Sequence, residues 1–340
     1  MQAQALFQRF FKRQPKAALP SQVWLVSDGS HRESLSKALA IRLNISKALL
    51  IPAGEVEMAG GLRPWLKSHF PQDDIPWPGL VISAGRDTGK LALTVRSMAP
   101  QPPITVHFLE PGHDDDHFDL LILPGYEPAE KARNTLLTTG YPNHIHAAYL
   151  QAVMERYNTG DWPAIHTALV ALPAPYTAVI LGGKHVGGTI SPEAARAFAL
   201  SLNPMIAKHG GSLLISTSKR SESATIDALI NALEVPHYLY RYDQDRAQEN
   251  PYPVLLALAD HIIVSGDSVR MCSEACSTGK PVQIWTPPAD FQPYASLHQQ
   301  LYDAGYAQPF NGEFVGKTPE VPLDEMGRIA NRVRTLQNMR

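Results

Sequence analysis

Short apolar runs recur along the chain, each closed by turn residues and followed by a stretch whose apolar positions fall at helical spacing. In the first half, Val23 to Val26, Ala48 to Ile51, Leu80 to Ser83, Ile104 to Phe108 and Asp119 to Leu123 read as strands, with Asn134 to Thr138 as a further candidate. Glu33 to Leu43, with Leu35, Leu39 and Leu43 on one stripe, and Thr88 to Met98 read as helices. The second half restarts the pattern with strands at Tyr176 to Leu181, Ser212 to Ser216, Tyr238 to Tyr240, His261 to Ser265 and Val282 to Trp285. Helices are predicted between them at Pro192 to His209, Ser223 to Leu233, Tyr252 to Ala259 and Ser268 to Ser277. An amphipathic helix closes the chain from Leu323 to Gln337. Strands alternating with helices predict an α/β protein with parallel, doubly wound sheets.

Prolines 163, 173 and 175 mark Gly160 to Pro175 as a connection between two Rossmann-like halves facing a cleft. The expected division is a basic segment 1–20, a first domain 21–160, a linker 161–175, a second domain 176–315 and a C-terminal helix 316–340.

The most informative stretch is Ala259 to Val282. It reads as strand, tight turn, helix, Gly-x-Pro and strand. Val269, Cys272 and Cys276 recur on one helical face, while Arg270 and Glu274 lie on another. Gly279 suits a helix C-cap and Pro281 blocks continuation. The helix N-terminus around Ser268 and Val269 offers unpaired N–H groups to an anion. Asp267 at the helix start competes with a phosphate or serves only as the N-cap. The whole unit also fits an ordinary crossover, with Arg270 and Glu274 as an exposed i,i+4 pair.

Ligands of open α/β sheets bind beyond the C-terminal ends of the strands. Gly182 to Gly188 is a Gly-rich loop with Lys184 and His185, and Gly183 allows close backbone approach to phosphate or sugar. It matches neither G-x-x-x-x-G-K-[ST] nor G-x-G-x-x-G. Thr217 to Arg220 places Ser218, Lys219 and Arg220 straight after a strand, where two cations could neutralise a diphosphate. In the first half, Asp28, His31 and Glu33 follow the first strand. His31 is the candidate general base on an acceptor hydroxyl, and a surface histidine is the plainer reading. Arg86 and Asp87 occupy the next comparable loop. The run from His113 to His117 reads as a solvated acidic turn, so no metal site is expected.

With a net charge of −2 and a pI near 6.7, the chain has no nucleic-acid signature. Its two cysteines, Cys272 and Cys276, form no disulfide framework, which suits a reducing, cytoplasmic setting. The first twenty residues carry Arg9, Lys12, Arg13 and Lys16 around Leu6, Phe7, Phe10 and Phe11. Residues 1–16 therefore read as an interfacial helix on an anionic membrane or as a basic tail. No signal peptide or membrane-spanning run is read here.

Met271 to Pro281 resembles the S/T-x-x-E-x-x-x-x-G-x-P pattern of the nucleotide-sugar half of GT-B glycosyltransferases, with Met271 in place of the hydroxyl residue. That resemblance implies that Glu274 holds the ribose of a nucleotide-diphosphate sugar. The segments VWLVSDG, LVISAGR, FDLLILP, NTLLTTG, TAVILGGKH, SLLISTSKR and NPYPVLLALADHIIVSGDSVRMCSEACSTGKPV resemble, in order, the mitochondrial-fission "elongated mitochondria" family. The likeness runs from about Val23 to Pro287. Departures lie in the shortened first loop, in Pro124 to Glu127, which lacks the family histidine, and in Gly182 to His185, which lacks its serine. The resemblance implies a GT-B-like fold and a metal-independent, cofactor-free transferase with a nucleotide-sugar donor and an envelope lipid or polysaccharide precursor as acceptor. Its alternative implication is a non-catalytic, membrane-associated adaptor.

Overall fold

The computed structural model describes residues 22–112, 115–127, 133–184, 188–242, 244, 250–287, 294–315 and 317–339. The basic segment 1–20, His185, His113 and Asp114 lie outside them. The central strands are buried along their whole length: β1 (Val23–Ser27), β3 (Leu80–Ala84), β4 (Ile104–Phe108) and β5 (Leu120–Pro124). Burial on both faces is why these strands read as unbroken apolar runs and not as alternating ones. β2 (Leu49–Pro52) and β6 (Thr135–Thr138) are partly exposed, as sheet edges are. Their order is β2-β1-β3-β4-β5-β6, and β1, β3 and β4 pair in parallel with their neighbours.

The second sheet repeats the scheme. Its order is β12-β11-β10-β7-β8-β9, all parallel. The strands are β7 (Tyr176–Leu181), β8 (Ser212–Thr217), β9 (His237–Tyr240), β10 (His261–Ser265), β11 (Val282–Trp285) and β12 (Gln308–Pro309). Val179 sits opposite Ile263 on one side and Ile215 on the other. One face of this sheet packs on Phe198, Leu202 and Ile206 of the helix Pro192–His209, with Phe198 stacked on Trp285 at 4.1 Å. The other packs on Leu297, Leu301, Cys272 and Cys276, and both cysteines are free and fully buried. In the first sheet the core gathers Trp24, Ile51, Trp65, Val81, Val95 and Phe118.

The chain forms two compact units. The first takes residues up to Leu123, Glu130–Leu136 and Met326–Arg340; the second takes Pro124–Ala129 and Leu137–Glu325. Two features of the expected division change. The stretch 161–175, expected as a linker, contains the helix Pro163–Leu169, with Ile165 and Leu169 buried. Pro163 opens that helix instead of stiffening a connection, since a missing N–H costs nothing at the first helical position. The helix Ala147–Asn158 belongs to the second unit because Val153 and Tyr157 pack with Leu214, Val254 and Leu255. That helix escaped the sequence reading because its N-cap is unusual: His146 Nδ1 accepts the Tyr149 N–H at 2.9 Å. The C-terminal helix Glu325–Asn338 returns to the first unit, where Arg334 donates to the Arg42 carbonyl at 2.9 Å. Among the described residues no helix is long and apolar enough to cross a membrane.

Lys280 follows the positive-φ Gly279 and donates its ammonium protons to the carbonyls of Ala257 (2.6 Å) and Ala259. These close the C-terminal end of the helix Tyr252–Leu258. Burial lowers the Lys280 pKa from 10.5 to about 8, with Asp260 opposing the shift. Between those two values the unfolded chain binds more protons, so this group makes stability rise with pH in that window. Thermal unfolding should show the wild-type Tm gaining on that of Lys280→Met as pH is raised from 8 to 10. A difference independent of pH would contradict this.

Candidate functional site

The strand order of the second sheet reverses between β7 and β10, which run side by side with their crossovers leaving in opposite directions. Such a switch point opens a crevice at the C-terminal strand ends, the usual ligand position in this architecture. Three of the loops named from the sequence meet here. Gly182 donates its N–H to Ser265 Oγ at 2.7 Å, and Gly183 donates to Asp267 Oδ2 at 2.8 Å. Ser265 in turn donates to Asp267 Oδ1 at 2.6 Å. Arg220 approaches the same carboxylate at 3.5 Å, its carbonyl accepts the Lys184 N–H at 2.9 Å, and Ser221 Oγ donates to the Gly182 carbonyl.

The two glycines are demanded by this packing. A Cβ on Gly182 would lie 2.0 Å from Asp267 Oδ2, and one on Gly183 would lie 2.0 Å from the Arg220 carbonyl oxygen. The loops after β7, β8 and β10 are thus fastened into one floor. Asp267 is fully buried and engaged in holding that floor, and the expectation that it caps the helix is corrected. Ser268 is the N-cap, accepting the Met271 N–H at 3.3 Å. Ser218 Oγ accepts the Arg220 N–H at 3.1 Å. Arg220 gives part of its charge to Asp267, while Lys184 and Lys219 stay exposed with no ion pair among the described residues. Val269 and Arg270 open the helix Val269–Cys276, whose first amides have no intrahelical acceptor.

Glu274 lies one turn along this helix and is 3% exposed, which corrects its reading as half of an exposed pair. Tyr252 Oη donates to its Oε2 at 2.8 Å, and Arg270 Nε donates to its Oε1 at 2.8 Å. Burial and the Glu274 charge push the Tyr252 phenol well above its usual pKa, so it remains a donor. The Arg270 side chain is 43% exposed, and Glu274 holds its guanidinium further in the charged form. The segment from Gly140 to His146 walls the same helix. Tyr141 donates its N–H to Ser273 Oγ at 2.8 Å, and Asn143 Nδ2 donates to Ser277 Oγ at 3.1 Å. His144 stands edge-on to Tyr149 with ring centroids 4.8 Å apart, and its pKa is lowered by burial despite the nearby Glu274. Sequence reasoning missed Tyr252, Ser265, Ser221 and His144. Only Ser265, the one polar residue closing an apolar run, carried a local signal.

In the first unit the order reverses between β1 and β3. Asp28 accepts the Ser30 N–H at 2.8 Å and faces Arg32 at 3.8 Å. Burial raises its pKa, but the Ser30 bonds and Arg32 outweigh that and leave it below the ordinary value. Glu33 accepts from Lys37 and from Ser27 Oγ, which also lowers its pKa against burial. These two carboxylates fasten the loop, and the exposed His31 ring has no partner among the described residues. Arg32 lies across Gly85, where a Cβ would come 2.7 Å from its Cδ.

Against known proteins, residues 10–336 match the family described as Mitochondrial fission ELM1. The chain belongs to that family. Among its relatives, an uncharacterized protein of Rickettsia prowazekii (strain Madrid E) is 24% identical over 92% of this chain and 97% of its own length. Mitochondrial fission protein ELM1 of Arabidopsis thaliana is 26% identical over 76% of this chain, which spans 63% of the plant protein. Among solved structures, the UDP-GlcNAc 2-epimerase of Methanocaldococcus jannaschii superposes with a TM-score of 0.55 at 11% identity. That comparison covers 92% of this chain and 99% of the epimerase. The ELM1-family fold is therefore GT-B-like, built of two α/β units with parallel sheets.

Removing the buried carboxylate of this ELM1-family chain strands the Gly183 N–H and the Arg220 charge. Asp267→Ala should lower the unfolding free energy by about 3 kcal/mol in denaturant titration, whereas Lys219→Ala should leave the midpoint in place. Equal effects would contradict the division between floor and exposed cations.

Proposed function

We propose that this protein is a GT-B-type glycosyltransferase that moves a sugar from a nucleotide-diphosphate donor to an envelope lipid or polysaccharide precursor. The observation that carries the reading is the floor at the β7/β10 switch point. Exposed Lys184 and Lys219 stand on the loops that pack closely at Gly182 and Gly183, the helix Val269–Cys276 begins from the third loop of the same floor, and Glu274 follows one turn on. In this reading Lys219, Arg220 and the amides near Ser268 and Val269 hold the diphosphate, and Lys184 with His185 meets the sugar or its phosphate. Glu274 accepts the ribose hydroxyls, and His31 takes the proton of the acceptor hydroxyl. The acceleration comes from positioning and from fixed positive charge at the departing diphosphate. The epimerase named above acts on a UDP-sugar, which makes uridine nucleotides the first to try.

A second reading rests on the family's description as a fission family. It makes the chain a membrane-associated adaptor that docks through Phe7, Phe10 and Phe11. Calorimetry with UDP, GDP, ADP and CMP and their sugars separates the two. The transferase reading expects one nucleotide to bind, with affinity reduced roughly tenfold or more in Glu274→Ala and in Lys219→Ala while both variants stay folded. If none binds to folded wild type, and localisation depends on the three phenylalanines, the adaptor reading stands instead.

A further inference from the structure

Glu274 cannot meet a ribose as it stands. Its carboxylate is 3% exposed, with Tyr252 Oη on one oxygen and Arg270 Nε on the other, each at 2.8 Å. Tyr252 comes from another helix, Tyr252–Leu258, and packs partly buried against the core of the second sheet. Arg270 differs. It sits at the second position of the same helix, its side chain is 43% exposed, and Glu274 is its sole ion-pair partner among the described residues. A helical side chain leans toward the N-terminus of its helix. From the second position the guanidinium therefore swings naturally to the open amide end, where the diphosphate would lie.

We infer that Arg270 exchanges counter-ions on nucleotide binding, leaving Glu274 to the ribose hydroxyls and pairing with the diphosphate. This rests on the proposed nucleotide site and extends it. Without ligand, Arg270 neutralises a buried carboxylate that would otherwise be costly. A nucleoside alone must break that ion pair and offers nothing in return. A nucleoside diphosphate supplies a replacement anion, so the guanidinium remains paired throughout. The site thereby discriminates against ligands that lack the diphosphate, because an affinity is scaled down by the fraction of molecules in the competent arrangement.

The test is calorimetry of the four ribonucleosides and their 5′-diphosphates on the full chain, with wild type, Arg270→Met, Arg270→Lys and Lys219→Ala. Circular dichroism and thermal unfolding confirm that each variant is folded. The expected result has opposite signs for the two ligand classes in Arg270→Met. The preferred diphosphate weakens roughly tenfold, and its nucleoside tightens about threefold. Arg270→Lys, which keeps the charge but loses the planar fork, falls between wild type and Arg270→Met for both ligands. Lys219→Ala weakens the diphosphate only and leaves the nucleoside unchanged. If Arg270→Met weakens both ligands alike, or neither, while Lys219→Ala still costs diphosphate affinity, the exchange is wrong and the nucleotide site survives. If wild type binds no diphosphate, the nucleotide site and the exchange fall together.

Discussion

A carboxylate with no access to water holds three loops that lie far apart in the chain. Asp267 receives the Gly183 N–H across the switch point of the second sheet, accepts from Ser265 and neutralises Arg220. The first of these bonds joins residues 84 positions apart. A buried carboxylate is tolerable only when its oxygens are paired, so the requirement runs outward from it. Ser265 must carry a hydroxyl, Gly182 and Gly183 must carry no side chain, and the loop after β8 must turn its carbonyl toward Lys184. Lys184 and Lys219 are left exposed, with no ion pair among the described residues. Structural demand and the exposed cations thus arise from one arrangement.

Much of the scaffold was readable because parallel strands buried on both faces leave continuous apolar runs. The central strands stand within a residue or so of where those runs place them. The helices Ala147–Asn158 and Ala295–Asp303 were harder, since neither begins with a Ser, Thr, Asp or Asn cap. Pro163 shows how one signal supports two readings. Proline marks a connection or a helix start, and only the burial of Ile165 and Leu169 decides between them. At the site, spacing correctly put Gly182 to Lys184, Ser218 to Arg220 and Asp267 to Glu274 at strand ends. It could not show which charges are consumed internally. The Asp267–Arg220 and Glu274–Tyr252 contacts depend on elements brought together only by the fold.

Glu274 illustrates the consequence for function. Its position in a GT-B-like pattern is the ground for proposing it as a ribose ligand, yet it is buried and doubly engaged. The two facts agree once one of its partners is mobile. Tyr252 packs partly buried against the core, on a helix whose Val254 and Leu255 are fully buried. The Arg270 side chain is 43% exposed and lies on the same helix as Glu274, which makes it the partner proposed to leave. Membership of the mitochondrial fission ELM1 family adds a question that the site sharpens. Lys184 and Lys219 stand exposed beside the glycine-bared floor, with no ion pair among the described residues, and the docking reading gives them no task.

Amide hydrogen exchange on the full chain, with and without UDP-sugars and the other nucleotide-diphosphate sugars, tests the central claim most directly. The account predicts slowed exchange confined to 182–184, 218–221 and 266–274, the loops that the switch point gathers, for the one donor class that binds. Unchanged exchange in all three segments at saturating nucleotide sugar, or protection centred elsewhere in the chain, would contradict it.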